Sequence, residues 1–131
     1  MRILILRGLL AFALLGGVLS PRAWAHARLL RSEPAKDAEL APPPDHVNLW
    51  FSELLEDGGF NVVTVYAASE LGAAKKHDLT ADKPHVDPKD RTRLTVKVTA
   101  LPPGDYIVEW RVLSSDGHSA PGRINFRVRA R

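Results

Sequence analysis

"YIVEWRVLSSDGHSAPGRINFRV", residues 106–128, contains two alternating runs with a turn signal between them. In the first run Tyr106, Val108, Trp110 and Val112 fall on one face of an extended strand, and in the second Ile124, Phe126 and Val128 do the same. The Asp-Gly pair at Asp116 and Gly117 is a strong short-range signal for a hairpin. Trp110 is in phase with Val108 and Val112, which predicts that it packs in a core rather than serving as a binding platform. Arg123, Arg127, Arg129 and Arg131 alternate with the apolar residues and read as the solvent face of a last strand.

The same pattern continues outward. "VNLWFS" (47–52) places Val47, Leu49 and Phe51 on one face, "NVVTVY" (61–66) is β-branched, and "LTVKV" (94–98) presents Leu94, Val96 and Val98. "ARLLRS" (27–32) is expected to form an edge strand. Turn-rich stretches separate these runs: "APPPD" (41–45), "EDGG" (56–59), "LPPGD" (101–105) and "SSDG" (114–117). Six or seven strands without helical periodicity predict an all-β, immunoglobulin-like antiparallel sandwich. The polar, lysine-rich segment Ser69–Asp90, punctuated by Pro84 and Pro88, is expected to be a long surface loop. Trp50 alternates out of phase with Leu49 and Phe51, so it covers an edge or lies near a site.

The first 25 residues have the parts of a cleavable secretory signal in order: Arg2 and Arg7, an apolar run from Gly8 to Leu19, and the small residues Ala23 and Ala25. The competing reading is a membrane anchor. It would have to be built from Ile3–Leu19, which Arg7 interrupts and which stands at the lower limit of about 17 to 25 residues for a spanning helix. A cut between Ala25 and His26 removes 25 of 131 residues and leaves 106, enough for one domain, 26–131, with one core. It also removes Arg2, Arg7 and Arg22, so a net charge of +3 becomes 15 basic residues against 15 acidic ones. That balance gives no support to a nucleic-acid or anionic-membrane partner. There is no cysteine, and Met1 is the one methionine. The expected mature chain therefore has no sulfur ligand, which excludes thiolate and thioether metal sites.

Asp116 and His118 raise a separate question. If Asp116 and Gly117 are the central residues of a tight turn, the carboxylate points away from the imidazole. If 116–118 are extended, both side chains leave the same face and converge, and "SAPG" (119–122) offers a second place for the turn. His26 bears on the choice. An N-terminal histidine offers a free α-amine and ring Nδ1 to one ion, and the amine's reference pKa of about 8 lets a metal displace its proton. With His118 this makes three nitrogens, and Asp116 adds an oxygen. Cu(II) prefers such a tetragonal nitrogen and oxygen set and tops the affinity order for it, although zinc can use the same ligands.

These residues carry a resemblance. "HARLLRSEPAKDAEL" (26–40), "VNLWFSELL" (47–55) and "LPPGDYIVEWRVLSSDGHSAPGRINFRV" (101–128) are similar to the CopC family of periplasmic copper-binding proteins over essentially all of 26–131. The resemblance implies a seven-stranded Greek-key barrel or sandwich that binds Cu(II) through His26, Asp116 and His118. Glu53 resembles an acidic residue placed near copper in some members, and it reads equally as a charged strand end. The methionine-rich Cu(I) site of some members has no counterpart here. Some relatives are fused to a membrane domain; this chain stops three residues after Val128, so an inner-membrane copper transport partner would be a separate protein.

His46, His77 and His85 read as solvated surface residues, with a weak second site at His77 and His85 as the alternative. The function expected is periplasmic Cu(II) binding for buffering, resistance or transfer, without catalysis. Two other classes are an oxidative enzyme with a histidine-brace-like centre and a metal-free immunoglobulin-like interaction domain. Oxygen chemistry needs an open coordination position, which Asp116 would occupy.

Overall fold

The computed structural model describes residues 26–131, and the expected signal at 1–25 lies outside them. Strand formation follows the alternating pattern: β1 (Leu29–Glu33), β2 (Glu39–Leu40), β3 (His46–Phe51), β4 (Val62–Ala67), β5 (His85–Val86), β6 (Arg93–Lys97), β7 (Gly104–Leu113) and β8 (Ser119–Val128). They form two four-stranded sheets, ordered β1-β3-β6-β5 and β2-β8-β7-β4. The expected all-β sandwich is therefore present, with β2 and β5 reduced to two residues each. It departs from the antiparallel expectation at one place, where β2 runs parallel to β8.

The longest hairpin sets the register of the core. Tyr106 pairs with Phe126, Val108 with Ile124, Trp110 with Gly122, and Val112 with Ala120. Val47, Leu49 and Phe51 of β3 and Leu94 and Val96 of β6 face them from the other sheet, and all are buried. Each such side chain withdrawn from water contributes roughly 1.5–3 kcal/mol before the entropy of ordering is subtracted. Phe51 meets Trp110 edge-on with ring centres 6.0 Å apart, and Tyr106 stacks on Phe126 at 5.6 Å. The Tyr106 hydroxyl donates back to the Pro102 carbonyl at 2.5 Å, tying the entry of β7 to its own first residues.

Trp110 explains why "SAPG" is strand rather than turn. A Cβ on Gly122 would stand 2.3 Å from Trp110 Cζ2 and 2.6 Å from Cε2, so the indole occupies the volume that any side chain would need. Pro121, beside it, sits where β8 has β7 alone as neighbour, a position that tolerates a missing N–H. Trp50 lies on the outer face of its sheet, with the Arg31 guanidinium 4.3 Å from its ring centre and Arg93 at 5.8 Å.

The segment 69–90 is largely exposed, as expected of a surface loop, and it is also anchored to both sheets. Its polar composition hides two apolar anchors: Leu79 packs against the core and Val86 is buried. The Leu79 N–H donates to Val65 O at 2.7 Å and its carbonyl accepts from Thr99 N at 2.8 Å, while β5 pairs with β6. The segment thus crosses from the edge of one sheet to the edge of the other and closes that side. Tyr66, on the outward face of β4, is fully buried, donates to Glu109 Oε2 at 2.8 Å, and has Lys76 Nζ 5.2 Å from its ring centre. No helix among the described residues is long and apolar enough to cross a membrane.

Gly122→Ala should destabilise the fold by about 1–3 kcal/mol through overpacking against the indole. Chemical denaturation of Gly122→Ala, Trp110→Phe and the double variant should show a sub-additive cost, because the smaller ring vacates the clash. An additive double variant would contradict this packing.

Candidate metal centre

The hairpin loop resolves the question posed by Asp116 and His118, and neither sequence reading describes it. Gly117 N donates to Ser114 O at 2.9 Å, so the central turn residues are Ser115 and Asp116. Gly117 follows with φ +89°, the left-handed conformation that favours glycine. Ser114 N then donates to His118 O at 3.0 Å. This is a three-residue loop, a turn followed by a left-handed glycine. Asp116 is inside the turn, yet its carboxylate folds back onto His118.

Three contacts of that carboxylate fall on one oxygen. Oδ1 accepts from the Ser114 hydroxyl and from His118 N at 3.1 Å, and it faces His118 Nδ1 at 3.1 Å. The Ser114 hydroxyl, then the His118 N–H, lower the carboxyl pKa from its ordinary value to about 2. The His118 ring is at ion-pair distance, and Oδ2 remains as the second acceptor oxygen of the carboxylate.

His26 reaches this loop from the other end of the chain. Arg28 N donates to Ser52 Oγ and Ser52 N to Arg28 O, both at 2.9 Å. A few residues on, Leu55 bridges to Ser114, Ser115 N donates to Leu54 O at 2.8 Å, and Glu56 N to Leu113 O at 2.8 Å. Residues 52–56 thus form a bracket with the N-terminal segment on one side and the hairpin on the other. Asn61 braces it, donating to Glu56 O at 2.7 Å and accepting from Leu113 N at 2.9 Å.

The His26 and His118 rings consequently meet with centres 5.7 Å apart at 90°. With a metal–nitrogen distance of about 2.0 Å, two imidazoles on one ion have centres about 4.5 Å apart at a right angle and about 6.3 Å apart when opposite. The observed separation falls between those limits. Among the described residues, no three His, Cys, Asp or Glu side chains are already drawn into a closed metal-holding group. A cleft of about 420 Å³ beside His26, lined also by Leu29, Trp110 and Pro121, leaves the approach open.

The other candidates are elsewhere. Glu53 is exposed on the bracket and is not among the contacts that hold Asp116. His46 Nδ1 pairs with Asp45 Oδ1 at 2.9 Å, which holds the Asp45 carboxyl below its usual range. His77 lies beside β4, its N–H donating to Glu70 Oε2 at 2.7 Å, whereas His85 is in β5 opposite Thr95 of the other sheet. The crossing of the 69–90 segment separates them. Sequence reasoning missed Ser114 and the 52–56 bracket. Ser114 was visible in "SSDG" as a turn residue, but a contact made through tertiary packing has no local signature.

Residues 29–129 match the CopC domain family. The chain is 31% identical over 113 residues to the protein YobA of Escherichia coli strain K12, covering 86% of each chain. It is 34% identical over 122 residues to copper resistance protein C of Pseudomonas syringae pv. tomato, covering 87% of this chain and 89% of that one. The crystal structure of CopC from Methylosinus trichosporium OB3b superposes with a TM-score of 0.69 at 25% identity, over 79% of this chain and 94% of that one.

The Asp116 pKa gives a pH prediction with a definite sign. A depressed carboxyl pKa means that contacts to the charged form contribute above the unfolded value of about 3.9 and are lost as pH falls through the folded one. Carbon-detected NMR titration of the metal-free protein should place the Asp116 midpoint at about 2. A midpoint at the ordinary aspartate value would contradict the hydrogen bonds onto Oδ1.

Proposed function

Because the chain belongs to the CopC family, we propose that it is a periplasmic carrier of one Cu(II) ion, exported by a signal cleaved after Ala25. The ion is held by the α-amine and ring Nδ1 of His26, the imidazole of His118 and a carboxylate oxygen of Asp116. The observation that carries this reading is the meeting of the His26 and His118 rings, 5.7 Å apart from opposite ends of the chain. The donor chemistry agrees with it: three nitrogens and a carboxylate oxygen suit the tetragonal preference of Cu(II), and the expected mature chain has no sulfur for Cu(I).

Each residue has a separate task. His26 supplies a chelate from one residue, which exists only once the peptide bond to Ala25 is cut, because an amide nitrogen has no available lone pair. His118 supplies the imidazole that closes the set across the two chain ends. Asp116 contributes negative charge toward the cation and occupies a position that oxygen chemistry would need open, which favours carriage over oxidation. From the exposed rim, copper passes on to an inner-membrane copper transport protein.

Two predictions follow from these tasks. Protein beginning at His26 should bind Cu(II) at least tenfold more tightly, about 1.4 kcal/mol, than protein with one extra residue before it, by competition titration. Equal affinities would remove the amine from the ligand set. His118→Ala should weaken Cu(II) binding more than His77→Ala or His85→Ala, and affinity in the wild type should fall with more than one proton as pH drops below about 6.5. An affinity that does not change with pH would contradict imidazole and amine ligands.

A further inference from the structure

We propose that Ser114 is a positioning residue for copper: one buried hydroxyl, hydrogen-bonded to Asp116 Oδ1, orients the carboxylate toward the ion. This rests on the Cu(II) reading above and deepens it.

The geometry distinguishes Ser114 from its neighbours in the loop. Ser114 is 1% exposed, whereas the Asp116 and His118 side chains are 41% and 55% exposed. Exposed side chains at a hairpin tip ordinarily sample several rotamers, and fixing them costs entropy at the moment a ligand binds. Ser114 itself does not move: its backbone bridges to Leu55, which is fully buried, and its N–H is bonded to His118 O. The loop tip is therefore tied to the core through this residue.

The hydroxyl has a single proton and two acceptors in reach, Asp116 Oδ1 and the His118 carbonyl, the latter at 3.0 Å. The carbonyl already receives Ser114 N–H. The carboxylate is the stronger acceptor, so the proton goes to Oδ1 in a charge-assisted bond. With Oδ1 so held, His118 N and Nδ1 face the same atom, at 3.1 Å each. The anchored oxygen leaves Oδ2 as the one offered to the cation. Alanine at 114 removes the donor while the two backbone bonds of the residue persist.

The test uses protein with the native His26 start, as wild type, Ser114→Ala, Asp116→Ala and the double variant, each titrated with Cu(II) against a chelator and examined by electron paramagnetic resonance. Outer partners of metal ligands typically account for about 10- to 100-fold in affinity, and Ser114→Ala should lose about tenfold with an altered copper hyperfine splitting. In the Asp116→Ala background the serine substitution should cost nothing further. Wild-type affinity and spectrum in Ser114→Ala, or an equal loss in the Asp116→Ala background, would overturn the proposal. Wild-type affinity in Asp116→Ala would instead remove the carboxylate from the ligand set.

Discussion

The bracket formed by residues 52–56 is the constraint on which the site depends. Ser52 exchanges hydrogen bonds with Arg28, and Leu55 bridges to Ser114, so two segments nearly ninety residues apart are held by one short loop. β1 and β8 belong to different sheets, so no strand pairing joins the two segments. Leu55 makes the bracket stiff. Its side chain is fully buried, its N–H donates to Arg91 O at 2.9 Å, and its carbonyl accepts from Arg91 Nη2 at 2.8 Å. A loop tied on three sides can fix the separation of His26 and His118 in a way that a free chain end cannot.

Below the bracket, packing between the sheets decides where the hairpin stands. Trp110 fills the space over Gly122 and meets Phe51 from the opposite sheet, so the start of β8 is drawn against the core instead of turning early. The result is that the reversal of the chain falls at 114–117, with Asp116 and His118 at its tip. At the other edge, the 69–90 segment crosses between the sheets through Leu79 and Val86 and buries Tyr66 on the outer face. Two sheets closed in this way let a domain of 106 residues dispense with disulfides.

Electrostatics at the tip then follow from local geometry rather than from burial. The Asp116 carboxylate is exposed, and its pKa of about 2 arises from donated hydrogen bonds, first from Ser114 and then from His118. The loop thus keeps its anion ionised by construction. A carboxylate held by one oxygen retains the other, so a turn residue keeps an acceptor atom in reserve.

Much of this was legible in the sequence. Alternation at 47–51, 94–98, 106–112 and 124–128 marked the core strands, because a strand's side chains alternate between faces wherever it lies. The turn residues marked their ends, and the chemistry of His26, Asp116 and His118 was readable from residue type alone. The sequence could not show how Asp116 turns back while remaining in the turn, since that depends on a hydroxyl buried by Leu55 across the loop. Nor could it show that the polar 69–90 segment closes the sandwich, because two apolar anchors in 22 residues make no period. Residue types and periodicity are local properties, and the sequence determined the strands and the donor atoms through them. Which donors meet was left to contacts between distant segments, and the tertiary structure alone decided it.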